Sequence, residues 1–486
     1  MVFSDIVFIS LFLPITLIGY YLVFGKCNVS VRNNWLLLAS LLFYAWGEPI
    51  YVLLMIVSIV VNWLLGIWVE PNAKTPKGSH ILAVACAFNL GMLFVFKYLS
   101  WLLGVFGLEK ASEATKLALP IGISFYTFQA LSYVIDVYRG KDESQKSIIN
   151  VGLYISFFPQ LIAGPIVRYN LISKQLKDRV HSWERFARGT KRFSIGLTKK
   201  ILLANQLAKL SELTFGMQSA ERSVILAWAG ALAFMLQIYF DFSGYSDMAI
   251  GLGCMFGFDI PENFDYPYIA KSVGEYWRRW HMTLGGWFRD YLYYPLSFKL
   301  SPKISKSLSK HMKRKSAAFI SSAVVLFIVW MSTGMWHGAN GTFVLWGFVQ
   351  FVFIFWEQNR KGMTNKRLEA AIGFITTYMI GLLTKVIFNS ASIADAFGYY
   401  GSMLGLCNNA GIDETGIYWL NQFKVVLLTG FVFSFPIVPK LRDFFTKKNL
   451  GIVFEYVEAG ILLILLVIDI SYAIGGDYNP FIYFNF

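Results

Sequence analysis

Apolar runs long enough to be solvated by lipid recur through this chain, and they restrict its fold more than any other feature. They extend from Ile6 to Phe24, Trp35 to Trp46, Tyr51 to Val69, Ile81 to Val105, Leu117 to Val137, Val151 to Val167, Val224 to Phe240, Met248 to Phe258, Ala317 to Trp336, Phe343 to Trp356, Ala370 to Phe388, Val425 to Val438 and Ile452 to Ile474. A transmembrane helix needs roughly 20 apolar residues, so a chain of this length holds about ten to twelve crossings with a few re-entrant pieces. Only 15% of the residues are charged and 56% are hydrophobic, whereas soluble domains carry about 25% charged residues. The expected fold is an all-α polytopic membrane protein, read as one integral-membrane domain over residues 1–486.

The net charge of +14 does not mark a nucleic-acid partner, because the basic residues fall in loops between apolar runs and no nucleic-acid motif accompanies them. Their placement follows the positive-inside bias. Nearly half of the basic residues, 21 of 43, lie between Arg168 and Lys200 and between Lys271 and Lys315, and both regions are assigned to the cytoplasmic side. Asp5, rather than a basic segment, precedes the first apolar run, and no A-x-A cleavage site follows it, so the run reads as a retained span. Lys26 and Arg32 after that run place the N-terminus outside a multi-pass protein of the cell membrane. Cys27, Cys86, Cys254 and Cys407 lie far apart with no C-x-x-C pair. Neither a disulfide framework nor a metal or redox site is expected.

Several apolar runs are shorter than a full crossing. Broken backbone at membrane depth is tolerated only where protein buries it or where it lines a cavity, so such runs point to the active region. The run from Val151 to Val167 contains Pro159, Gly164 and Pro165, and is expected to enter and leave by the same side.

Two histidines stand out against this background. His337 closes the run from Ala317 to Trp336, in the phrase Ser332-Thr-Gly-Met-Trp-His337-Gly-Ala-Asn340-Gly. A titratable ring is expensive in a bilayer unless it faces a wet passage or a partner. If Lys315 marks the inner surface, a straight helix carries His337 roughly 33 Å onward, near the far side of the ~30 Å hydrocarbon core. His281 lies in the block Glu275-Tyr-Trp277-Arg278-Arg279-Trp280-His281, followed by Arg289 and Asp290. The structural alternative for His337 is a hydrogen bond between helices. For the aromatic and basic block it is an interfacial anchor, with indoles at headgroup level and arginines snorkelling. Asp241 and Asp247, flanking Phe-Ser-Gly-Tyr-Ser, interrupt an apolar stretch and need partners. They either orient an arginine or histidine of the active region or sit in a short hydrated loop. His80, His181 and His311 lie among basic polar residues and read as solvated.

The chain resembles the membrane-bound O-acyltransferase family (MBOAT), and within it the branch that contains the membrane subunit of alginate O-acetylation. The resemblance runs nearly end to end: Met1-Val-Phe-Ser4, Leu119-Pro-Ile-Gly-Ile-Ser-Phe-Tyr-Thr-Phe-Gln129, Phe158-Pro-Gln-Leu-Ile-Ala-Gly-Pro165, Tyr239-Phe-Asp-Phe-Ser-Gly-Tyr-Ser-Asp247, the Tyr276 to Pro295 block, Met335-Trp-His-Gly338 and the closing Asn479-Pro-Phe-Ile-Tyr-Phe484. It implies a ring of helices around a central funnel or tunnel, His337 as the principal catalytic histidine and His281 as a second functional position. It implies further that an acyl group passes from a cytoplasmic donor toward an extracytoplasmic glycan, with an exported acetylesterase-like protein as partner.

Residue chemistry agrees with that activity. Moving an acyl group from a thioester to a hydroxyl needs a base near the attacking oxygen and a donor near the developing oxyanion. His337 is the assigned base. Trp336, Trp277, Asn340 and His281 are all candidates for the oxyanion donor, and Trp280 stands beside them. Arg278, Arg279 and Arg289 suit the phosphates of a coenzyme A-type donor such as acetyl-CoA, which is a substrate and not a bound cofactor. A D-alanyl transferase of the same family, a transporter or flippase, and a non-catalytic scaffold for polymer synthesis are the alternatives. A transporter should show internal repeats, and none is visible.

Overall fold

The computed structural model describes residues 1–475 and 479, and among these every regular element is a helix. Among the described residues seven helices are long and apolar enough to cross a membrane: Tyr51–Asn72, Pro76–Lys97, Val224–Met255, Arg314–His337, Lys366–Asn389, Glu414–Phe433 and Gly451–Ile474. The other apolar runs fall on helices that are shorter or more polar, such as Val29–Gly47 and Gly341–Asn359. Helix is the required choice here, because it pairs its own backbone groups where no water can. Leu463, Ile464 and Val467 of the last long helix are exposed, so this surface is compatible with lipid and not with water.

Helix starts are written locally. The Asn28, Thr75, Asn340 and Asp413 side chains each accept a hydrogen bond from a first-turn backbone N–H of the helix that follows, satisfying donors that the helix itself leaves unpaired. Close packing is written by small residues. A Cβ at Gly334 would lie 2.4 Å from the Phe343 carbonyl oxygen, and one at Gly347 would lie 2.6 Å from that of Trp330. The helices Arg314–His337 and Gly341–Asn359 can therefore approach backbone to backbone.

The chain divides into two compact units, one of residues 1–198, 244–262 and 462–479, the other of 199–243, 263–461 and 480–486. In the first unit the Val151 to Val167 run is broken as its prolines predict. Helix Ile148–Ser156 gives way at Phe157 to the single turn Phe158–Leu161 and then to extended chain. Its two ends meet: the Gln145 amide donates to the Tyr169 hydroxyl at 3.1 Å, and the Tyr154 hydroxyl donates to the Val167 carbonyl at 3.0 Å. The segment thus returns to the end at which it entered. Asn479 of the closing motif bonds Ser4 at 2.9 Å, and the motif from Pro480 to Phe484 lies outside the described residues.

Two sequence expectations are corrected. The runs Val224 to Phe240 and Met248 to Phe258 are not separated by a loop, since one 32-residue helix, Val224–Met255, carries both. Asp241 and Asp247 therefore ride on continuous helix, and cations neutralise them in place of loop water. Lys200, counted among the cytoplasmic cations, is buried instead. It pairs with Asp241 at 2.6 Å.

Candidate active site

His337 is the last residue of its long helix, and the helix Gly341–Asn359 begins just beyond it. The ring is 6% exposed and packed among aromatic faces, with centroids 5.0 Å from Trp336, 5.2 Å from Trp346 and 5.0 Å from Phe388. The sequence reading places this imidazole in a wet passage. The structure places it behind rings, because the helices that meet here bring large aromatics to one level.

His281 sits between the short helices Val273–Arg279 and Met282–Phe288, with φ 45° and ψ 53°. A left-handed backbone at a residue other than glycine costs of order 1–3 kcal/mol, and persists only where neighbours over-determine it. Asn263 supplies that restraint. Its side-chain oxygen accepts from the Thr283 backbone N–H at 3.1 Å and from the Thr283 hydroxyl at 2.8 Å, its carbonyl accepts from the Met282 N–H at 2.9 Å, and the His281 Nδ1 lies 3.1 Å from the same side-chain oxygen. An oxygen already accepting from a backbone N–H makes Nδ1 the donor. The neutral ring then carries its lone pair on Nε2. Trp336 joins the two imidazoles, with its ring 6.0 Å from that of His281.

Asn263→Ala should lower turnover about tenfold while leaving expression intact, since a misplaced ring forfeits orientation rather than chemistry. Side-by-side initial rates of wild type and variant in membranes check this. Equal rates would mean that Asn263 serves the turn and not the histidine.

Sequence reasoning missed Lys385. It lies in the Lys366–Asn389 helix, 3% exposed, with its ammonium 4.3 Å from the Trp280 ring centroid and 5.1 Å from that of Phe388. Among the described residues no carboxylate pairs with it. Burying an ammonium costs several kcal/mol, and cation–π contact returns only about 2 kcal/mol. The signal was available, because a lysine inside the apolar run Ala370 to Phe388 is an intramembrane ionisable residue. Beside Lys385 lies a cavity of about 10 Å³, lined also by Tyr276, Trp277, Trp346 and Gln350. It has room for about one water.

The other candidates separate into groups. The Trp277 indole donates to Gln350 at 3.0 Å, and Asn340 donates to the Ala391 carbonyl at 2.9 Å while capping its own helix. Both are engaged in framework contacts, which leaves Trp336 and His281 in the centre. Arg279 spans Glu275 at 3.0 Å and Asp265 at 2.5 Å, holding the Asn263 segment in place. Burial works to raise the Glu275 carboxyl, but the Lys271 N–H and the Arg279 guanidinium outweigh it and hold the group below the ordinary range. Glu357 accepts from the Val273 and Gly274 N–H groups and so caps the helix that carries Trp277. Arg278 and Arg289 point outward, Arg289 beside Asp290 at 3.0 Å. Asp247 belongs to the first unit, where Arg192 bridges it at 2.7 Å to Glu262 at 2.6 Å. His181 also departs from expectation. Its Nε2 lies 2.9 Å from the Tyr20 hydroxyl, so it is half-buried, whereas His80 and His311 are exposed.

Comparison with known proteins gives this arrangement a context. The membrane-bound O-acyltransferase family profile matches residues 43–392. The chain is 34% identical to a probable alginate O-acetylase of Pseudomonas putida across the whole of both chains. It is 28% identical to a peptidoglycan O-acetyltransferase of Helicobacter pylori, covering 100% of this chain and 98% of that one. A teichoic acid D-alanyltransferase of Bacillus subtilis is 27% identical over 53% of this chain and 65% of its own.

Proposed function

Because the chain belongs to the membrane-bound O-acyltransferase family, we propose that the cluster around Trp336 is its acyl-transfer centre, with His337 as general base. The protein is a multi-pass membrane O-acyltransferase. An acceptor hydroxyl gives its proton to the His337 imidazole as its oxygen attacks the acyl carbon. The Trp336 indole N–H is the donor for the charge that forms on the acyl oxygen, and His281, whose Nδ1–H is held by Asn263, offers its Nε2 as an acceptor beside it. The cage of Phe343, Phe388 and Trp346 around His337 excludes water from that step, and side-chain rotation in the cage admits the reactants.

The transferred group is acetyl and the acceptor is a cell-surface glycan. The observation that carries this choice is coverage: acetylating relatives match the chain from end to end, while the D-alanyl transferase matches about half of it. The donor is an activated acyl thioester such as acetyl-CoA, presented at the cytoplasmic face, where Arg278 and Arg289 suit its phosphates. An exported acetylesterase-like protein completes delivery to the polymer. The N-terminus lies outside the cytoplasmic membrane, in keeping with the basic loops.

Mild base applied to whole cells, with and without this chain, tests the reading. Ester-linked acetate that depends on the chain is the expected product. Alanine in its place would move the assignment to the D-alanyl branch, and release of neither would remove the glycan reading altogether.

A further inference from the structure

We propose that Lys385 is a catalytic residue of the acyl transfer, its ammonium set to take up the negative charge that forms on the acyl oxygen. The role rests on the acyltransferase reading above and adds a group to it. Three observations carry it. The ammonium lies over Trp280, the residue before His281, and near Phe388, whose ring touches that of His337. It therefore sits within the set of rings that connects both imidazoles. Among the described residues its near neighbours are aromatic faces and not carboxylates, so no anion competes with a developing oxyanion for the ammonium. Finally, the cavity beside it, shared with Gln350 and Tyr276, accommodates a single water-sized group, which matches one carbonyl oxygen.

The acceptor oxygen bonds to the carbonyl carbon of the thioester, its proton passes to His337, and the carbonyl π pair moves onto oxygen opposite Lys385. When the tetrahedral adduct collapses, that pair re-forms the carbonyl, the carbon–sulfur bond breaks, and the departing thiolate takes the proton from the imidazolium. The products are an ester and a free thiol. A fixed cation gains most where charge develops, so its loss should appear in turnover and not in donor binding.

The test uses the full chain in membranes of its own cell, which keep the exported partner, with acetyl-CoA as donor and the cell's glycan as acceptor. Lys385→Met should lower kcat about a hundredfold with KM for the donor within threefold, and Lys385→Arg, which keeps the charge, should recover at least tenfold over methionine. A folded methionine variant within threefold of wild-type kcat would overturn the proposal and leave the lysine a packing role. If methionine prevents folding, Lys385→Arg is compared with Lys385→Gln. A tenfold advantage for arginine supports the role, and equal rates overturn it. Wild-type protein that transfers nothing from any acyl thioester would bring down the function reading itself, a result recognisable without any variant.

Discussion

Replacing His337 with asparagine should reduce acyl transfer about a thousandfold while the protein remains folded. General acid–base groups typically contribute a hundredfold to ten-thousandfold, and asparagine keeps polarity and much of the volume while losing the ring nitrogen that accepts the proton. The ring's environment makes the comparison clean. His337 is enclosed by Trp336, Trp346 and Phe388, so a smaller side chain leaves a void whose cost is felt in stability, of order 1–3 kcal/mol. The two effects are separable by measuring thermal unfolding beside initial rates. His281→Asn should lose less than His337→Asn, because His281 orients a reactant through its Nε2 acceptor and does not take the proton in the attacking step. An asparagine variant at 337 that transfers acyl groups within threefold of wild type would end its assignment as base.

The second large effect concerns stability. Lys200 and Asp241 form an ion pair at 2.6 Å with side chains only 3% and 2% exposed. Removing one member of such a pair strands the other charge in a low-dielectric interior, at a cost of about 3–5 kcal/mol, whereas replacing both with apolar residues of similar volume is often neutral. Lys200→Met should therefore lower the unfolding free energy by that amount. Lys200→Met combined with Asp241→Leu should return to within about 1 kcal/mol of wild type. A double-mutant cycle of denaturant unfolding in detergent reads both values. Simple additivity of the two single losses would show that the pair is not coupled, and that each side chain is held by other contacts.

How far the sequence could be read depended on whether a signal was local. The broken run from Val151 to Val167 was legible because Pro159, Gly164 and Pro165 act through their own backbone. His337 and His281 could be picked out as candidates because a titratable ring among apolar residues is costly wherever it points. Whether Asp241 and Asp247 orient a cation or sit in a hydrated loop was left open by the sequence, because the distant cations that neutralise them are not visible in it. Trp277 and Asn340 were candidates on residue type alone, and the partners that engage them, Gln350 and Ala391, lie far along the chain.

Hydropathy and chain length alone were enough to establish helices in lipid, and the motifs along the chain were enough to single out its histidines. Only packing assigned each buried charge its neighbour: Lys200 to Asp241, Arg192 to Asp247, and Lys385 to the rings of Trp280 and Phe388. The reason is range. Helical propensity and burial are properties of a few turns of chain, whereas the energy of a charge depends on whatever three-dimensional folding brings within a few ångströms of it.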